Sequence, residues 1–138
     1  TGKTTLSGAI VRTMLALKQR VVLLAPTGRA AKVFALNSGV QASTIHRRIY
    51  RQQSLGGSFS LAPNMMTDTL FLVDESSMIA NEGLRESVFG TGCLLDDLVR
   101  FVREGDGCRL MLVGDTAQFA DLRFVSPGRR RSLLRRCR

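Results

Sequence analysis

Histidine and cysteine are scarce in this chain. Its 138 residues hold one histidine, His46, and three cysteines, Cys93, Cys108 and Cys137, with no C-x-x-C pair among them. Metal-ligand spacing is therefore absent. The cysteines read as ordinary thiols of a reducing compartment, Cys93 and Cys108 as small buried hydrophobes. Long apolar runs are lacking too. Nothing approaches the roughly 18 residues of a membrane span, and the N-terminus lacks the charged-then-apolar layout of a secretory signal. No membrane partner and a cytoplasmic location are expected. No internal repeat is visible.

What is present suits one domain with a real core: 44% of residues are hydrophobic and the mean hydropathy is +0.06, a soluble globular balance. The formal net charge of +9 suggests a polyanionic partner. Its distribution matters more than its size. Residues 119–138 carry seven arginines and one aspartate, or +6, which leaves +3 for the first 118 residues. That remainder is a mild excess.

Along the chain, TTLSGAIVRTMLALKQ spaces Leu6, Ile10, Met14 and Leu17 at three to four residues, which predicts an amphipathic helix. RVVLLAP reads as a short buried strand ended by Pro26. TGRAAKVFALNSG predicts a second helix closing at Asn37 to Gly39, and STIHRRIY a third with Ser43 as N-cap. Residues 52–68 carry Gly, Ser and Pro without sustained periodicity and read as an excursion with a small hairpin. TLFLVDE is the next strand, LLDDLVRFVRE the next helix and RLMLVGD a further strand. Helices alternating with continuously apolar strands predict an α/β fold, a parallel sheet covered on both faces.

Three segments carry chemistry. TGKTT, residues 1–5, supplies the Lys and Thr of G-x-x-x-x-G-K-[ST]. In such a loop the backbone N–H groups cradle phosphates, the lysine meets the β and γ oxygens and the hydroxyl binds Mg²⁺. Lys3 and Thr4 take those roles, with Thr1, Gly2 and Thr5 completing the nucleotide contact. TLFLVDES ends an apolar strand on Asp74 and Glu75, where the first carboxylate suits the Mg²⁺ shell and the second an attacking water. RLMLVGDTAQ ends another strand on Gly114, Asp115 and Gln118, and a glutamine there suits the γ-phosphate. Strand ends of a parallel sheet share one edge, where ligands bind.

LLAPTGRAAK, STIHRRIY, LFLVDESSMI and LMLVGDTAQ, in this order, resemble motif Ia, the Thr-Ile-His-Arg segment, motif II and motif III of the RecD/TraA-like branch of superfamily 1 DNA helicases. The resemblance spans residues 1–118. It implies a P-loop NTPase (RecA-like) sheet, ATP and Mg²⁺ as ligands, and coupling of ATP hydrolysis to movement on single-stranded DNA and unwinding at duplex junctions, 5′ to 3′ by analogy with relatives. It further implies that Pro26, Thr27, Arg29 and Lys32 of motif Ia, with His46 and Arg47, face the DNA backbone. For His46 a structural role is the rival reading.

The resemblance also implies what these 138 residues do not contain. The first half of the phosphate loop and its strand are missing, which is expected to leave RLMLV with an unpaired edge. No second RecA-like domain follows motif III. After Gln118 the pattern gives way to an Arg-rich segment, residues 119–138, expected to be non-native or without fixed structure. Rival readings are another P-loop NTPase, such as a small-molecule kinase, and a non-catalytic basic nucleic-acid-binding module acting through its C-terminal arginines.

The chain alone is expected to show no DNA-dependent ATP hydrolysis above background. Donors of half the phosphate loop are missing, and a trans-acting arginine, worth on the order of 10³ to 10⁵ in rate in related phosphoryl transfer, has no second domain to supply it. Single-turnover assays with and without single-stranded DNA check this. Robust hydrolysis abolished by Lys3→Ala would refute it.

Overall fold

The computed structural model describes residues 2–53, 55–79, 90–114 and 124–125, and side chains for 5–53, 55–79 and 90–114. The elements run α1 (Gly2–Ala16), β1 (Arg20–Ala25), α2 (Gly28–Ser38), β2 (Ala42–Thr44), α3 (Ile45–Ile49), β3 (Tyr50–Gln52), β4 (Phe59–Leu61), β5 (Thr69–Val73), a 3₁₀ turn (Ser76–Met78), α4 (Leu94–Glu104), β6 (Arg109–Leu112) and β7 (Phe124–Val125). One sheet has the order β2-β1-β5-β6-β7. Its first four strands are parallel and β7 is antiparallel. The α/β class and the parallel sheet flanked by helices stand as expected.

Period-two alternation splits the core across this sheet. Val22 and Leu24 of β1, Phe71 and Val73 of β5 and Leu110 of β6 pack on one face with Ile45, Ile49, Leu98 and Phe101. Leu23, Leu70, Leu72 and Met111 pack on the other with Val11 and Phe34. All five residues of β5 are buried, so it is the centre of the molecule. Burial on both faces explains why its sequence runs apolar without a break.

Local chemistry sets the element ends. Thr27 caps α2, its Oγ1 accepting from Ala30 N at 3.1 Å. Gly39 ends that helix in the left-handed region at φ 73°, its N–H donating to Ala35 O, a conformation that a side chain would strain. A hairpin is present as β3 paired antiparallel to β4, but it begins at Tyr50, ahead of the expected 52–68 and inside the stretch expected as helix, because α3 already ends at Ile49.

Four further expectations need correction. The cap of α3 is Thr44, whose Oγ1 accepts from Arg47 N at 3.2 Å. Ser43 instead sits in β2 opposite Leu24, its Oγ buried without a hydrogen-bond partner. Of the stripe expected on α1, Ile10 and Met14 pack half-buried against the core, but Leu6 is 46% exposed and Leu17, just past the helix, 71%, and the fully buried positions are Ser7 and Val11, both 0%. Small residues win there because α1 lies close against α2: a Cβ on Gly8 would fall 3.2 Å from Asn37 O. The edge of β6 is not unpaired, because Leu110 and Met111 pair with Val125 and Phe124 of β7. The backbone groups of an open edge need partners, and a downstream segment of the chain meets that need. Cys93, finally, is disulfide-bonded, and Cys108 is a buried free thiol. Sulfur proximity in the fold is invisible to sequence spacing.

No described helix is long and apolar enough to cross a membrane.

The α3–β3 segment is fastened to α4 by one buried polar cluster. Tyr50 donates its hydroxyl to Asp97 Oδ2 at 2.6 Å. Thr91 donates to the same carboxylate through its N at 3.1 Å and its Oγ1 at 2.9 Å. Asp97 is 1% exposed and lies in the first turn of α4, where a negative charge complements the helix dipole. Burial first, then the bond to Asp97, push the Tyr50 phenol above its usual value of 10. A raised native value means that the folded state holds its proton where the unfolded state releases it. Stability from this group is complete below pH 10 and falls above it.

Tyr50→Phe is expected to cost about 1–3 kcal/mol in denaturant unfolding at neutral pH, as a buried acceptor loses one donor. It should also flatten the loss of stability above about pH 10. Identical slopes for the two proteins in that range would remove Tyr50 from this role.

Candidate functional site

Three strands end level with one another. Asp74 N donates to Leu24 O at 3.0 Å, Val113 N to Val73 O at 2.8 Å and Ser76 N to Val113 O at 2.9 Å, carrying the ladder past the strand ends. The segments leaving β1, β5 and β6 therefore emerge at the same height on the C-terminal edge of the sheet. Helix α1 reaches this edge from the other direction. A short turn joins its end to β1. Fifteen helical residues span about 22 Å and a six-residue strand about 20 Å, so the first turn of α1 returns to the level where β1 ends.

Gly2, Lys3 and Thr4 occupy that first turn. The side chains of Lys3 and Thr4, and all of Thr1, lie outside the described residues. Thr5 is exposed. Asp115 and Gln118 also lie outside the described residues.

Asp74 and Glu75 adjoin in sequence but differ in environment. Asp74 is 8% exposed, and its Oδ1 accepts from Glu75 N at 2.9 Å. Glu75 is exposed and left-handed, at φ 53° and ψ 38°, and starts the 3₁₀ turn. A non-glycine residue in this region carries strain that its surroundings must hold in place. Here the turn is held by Met78 N donating to Glu75 O at 2.9 Å and Ser76 N to Val113 O at 2.9 Å. Gly114 closes the arrangement: a Cβ there would fall 2.5 Å from Ser76 Oγ and 2.9 Å from Ser77 N. Ser76 and the glycine opposite it were missed as a pair in the sequence. The trace in the letters is that Ser76 follows Asp74-Glu75 and Gly114 follows the apolar run of β6.

This pair of carboxylates fits divalent-metal and water chemistry. The buried aspartate has one oxygen oriented by a backbone N–H, and the glutamate beside it stays open to solvent. Among the described residues no group of three or more His, Cys, Asp or Glu could hold a metal. Mg²⁺, which takes one or two carboxylates together with phosphate oxygens, needs no such cage.

The other half of the edge is cationic. Ala25 of β1 stands opposite Thr44 of β2, so the segments that follow, Pro26–Thr27 into α2 and Thr44–Ile45 into α3, leave side by side. Both helices start at a threonine cap. A hydroxyl that accepts from the cap N–H still has its own proton to donate. Thr27, Arg29 and Lys32 are exposed, as is Arg47, while Pro26 and His46 are half-buried. His46 has its ring 5.7 Å from that of Tyr50, tilted by 45°, and burial lowers its pKa below the usual 6.5. The imidazole is thus neutral at pH 7, suited to stacking or hydrogen bonding rather than to charge pairing with phosphate.

The model of a protein family described as AAA domain matches residues 1–129. No curated protein matches the chain.

Gly114→Ala is expected to cost about 1–3 kcal/mol, the usual range for overpacking. Combined with Ser76→Ala, which removes the nearest clashing atom, the loss should be smaller than the sum of the single effects, with a coupling of about 0.5 kcal/mol or more. A double-mutant cycle by chemical unfolding measures it. Strict additivity would mean that the two residues do not meet.

Proposed function

Because the chain belongs to the AAA domain family, a P-loop NTPase family that includes superfamily 1 helicases, we propose that it is the ATP-binding motor domain of a RecD/TraA-like DNA helicase. It would couple ATP hydrolysis to 5′ to 3′ movement along single-stranded DNA and to unwinding at duplex junctions. A cytoplasmic site of action goes with that substrate. One observation supports this reading above the others. The sheet edge that bears the Asp74–Glu75 pair also bears, one and two strands away, two adjacent threonine-capped helix starts with exposed cations. A kinase of an uncharged small molecule has no use for a cationic strip beside its phosphate site. A motor has to hold both ligands.

In this reading residues 1–118 form the motor part. Lys3 meets the β and γ phosphates, with Thr1, Gly2 and Thr5 around the nucleotide, and Thr4 and Asp74 hold Mg²⁺. The ion, when bound, neutralises charge on the phosphate oxygens. Glu75 orients the attacking water and accepts its proton, and Asp115 and Gln118 lie toward the γ-phosphate. Pro26, Thr27, Arg29, Lys32, His46 and Arg47 contact the DNA strand. A second RecA-like domain supplies the arginine that completes the transition state.

In the full-length protein, Lys3→Ala is expected to weaken ATP binding. Glu75→Gln should leave binding in place and lower hydrolysis by about 10² to 10⁴, the range for a general base. Binding of a fluorescent ATP analogue and DNA-stimulated phosphate release separate the two effects. Transfer of phosphate to a small molecule with no response to DNA would favour the kinase. Loss of all DNA affinity on trimming after Gln118 would favour the basic module.

A further inference from the structure

The charge of this chain is more divided than its total suggests. No aspartate or glutamate occurs before Asp68, while nine lysines and arginines do, and all eleven acidic residues lie from Asp68 onward. The fold turns this sequence boundary into a spatial one. The acid-free segment builds β2 and β1 with α1, α2, α3 and the β3–β4 hairpin, and the acidic residues enter with β5, α4 and β6. A segment whose charges are all of one sign is unlike an ordinary surface, where both signs alternate and pair.

On this flank Arg47, Arg48 and Arg51 follow one another. Ile45 and Ile49 bury one side of α3; at 100° per residue Arg47 lies on the opposite side and Arg48 about 80° from the buried one, and both are exposed. Tyr50 is buried as β3 begins, and Arg51 beside it is exposed. With Arg29 and Lys32 of α2 these make five exposed cations. None of the five has a side-chain hydrogen bond or ion pair. The bond from Tyr50 to Asp97 fixes the backbone that carries Arg48 and Arg51, so these guanidiniums are mounted on a braced segment.

We infer that Arg48 and Arg51 extend the DNA-binding strip beyond Arg47, taking backbone phosphates of single-stranded DNA along the α3–β3 flank. The inference rests on the helicase reading for the identity of the polyanion. The residues themselves are chosen by the charge partition and by their lack of partners. Guanidinium forks suit phosphate oxygens, and contacts of this kind position a strand without reading its sequence.

The test is binding of fluorescently labelled oligo-dT to the full chain by anisotropy across a salt series. The combined Arg48→Ala and Arg51→Ala protein should bind roughly tenfold more weakly at moderate salt. Its dependence of log K on log salt should be shallower by about 1.4, since each phosphate contact on single strands contributes about 0.7. Arg48→Lys with Arg51→Lys should retain the slope, because a lysine still neutralises a phosphate. The arginines of residues 119–138 are common to every variant and cancel in the difference. Unchanged affinity and slope in the alanine pair, where Arg29→Ala with Lys32→Ala does weaken binding, would overturn the extension and leave the helicase reading standing. If neither pair weakens binding, both fall.

Discussion

Everything on the functional edge depends on three strands ending at the same level. That alignment comes from hydrogen bonds made just beyond the strands, from Asp74 to Leu24, Val113 to Val73 and Ser76 to Val113. Because β5 lies between β1 and β6 and is buried along its whole length, a one-residue slip would exchange Phe71 and Val73 with Leu70 and Leu72 between two close-packed faces and misfit both. The register is therefore protected by the core, and the site inherits its precision from packing beneath it. The carboxylates need no separate scaffold.

The edge divides its labour by strand order. Carboxylates leave from the inner strand β5, while the capped helix starts with their cations leave from β1 and β2. In the proposed reading, a phosphate-bearing nucleotide with its metal and a phosphate-bearing strand lie side by side without competing for the same groups. Asp74 has low exposure and Glu75 high, so neighbouring residues of one type are set apart by environment rather than by chemistry. The same separation holds between Thr27 and Arg29, of which the first ties the helix start and the second stays unpaired.

Much of this was legible from the sequence. Strands β1, β5 and β6 show as apolar runs because both faces of the sheet are covered, and α4 matches its predicted span residue for residue. The errors share a cause. Ser43 and Thr44 are chemically equivalent as caps, and only the pairing of β2 with β1 decides between them. The face of α1 was legible only at Ile10 and Met14, because Gly8 and Ser7 bury the helix by closeness rather than by apolar bulk. Likewise the antiparallel partner of β6 is two residues long, too short for any periodicity. The acid-free first half was visible in the letters, yet dividing the charge at residue 118 averaged +9 against −6 and concealed it.

Tyr50 gives the molecule a further property. The chain contains no tryptophan and no other tyrosine, so its near-ultraviolet emission comes from one phenol, hydrogen-bonded in the interior and adjoining the ring of His46. That phenol lies beneath the segment carrying Arg47, Arg48 and Arg51. The protein thus contains a native optical reporter at the base of its cationic flank, readable without labels wherever the ligand itself does not absorb.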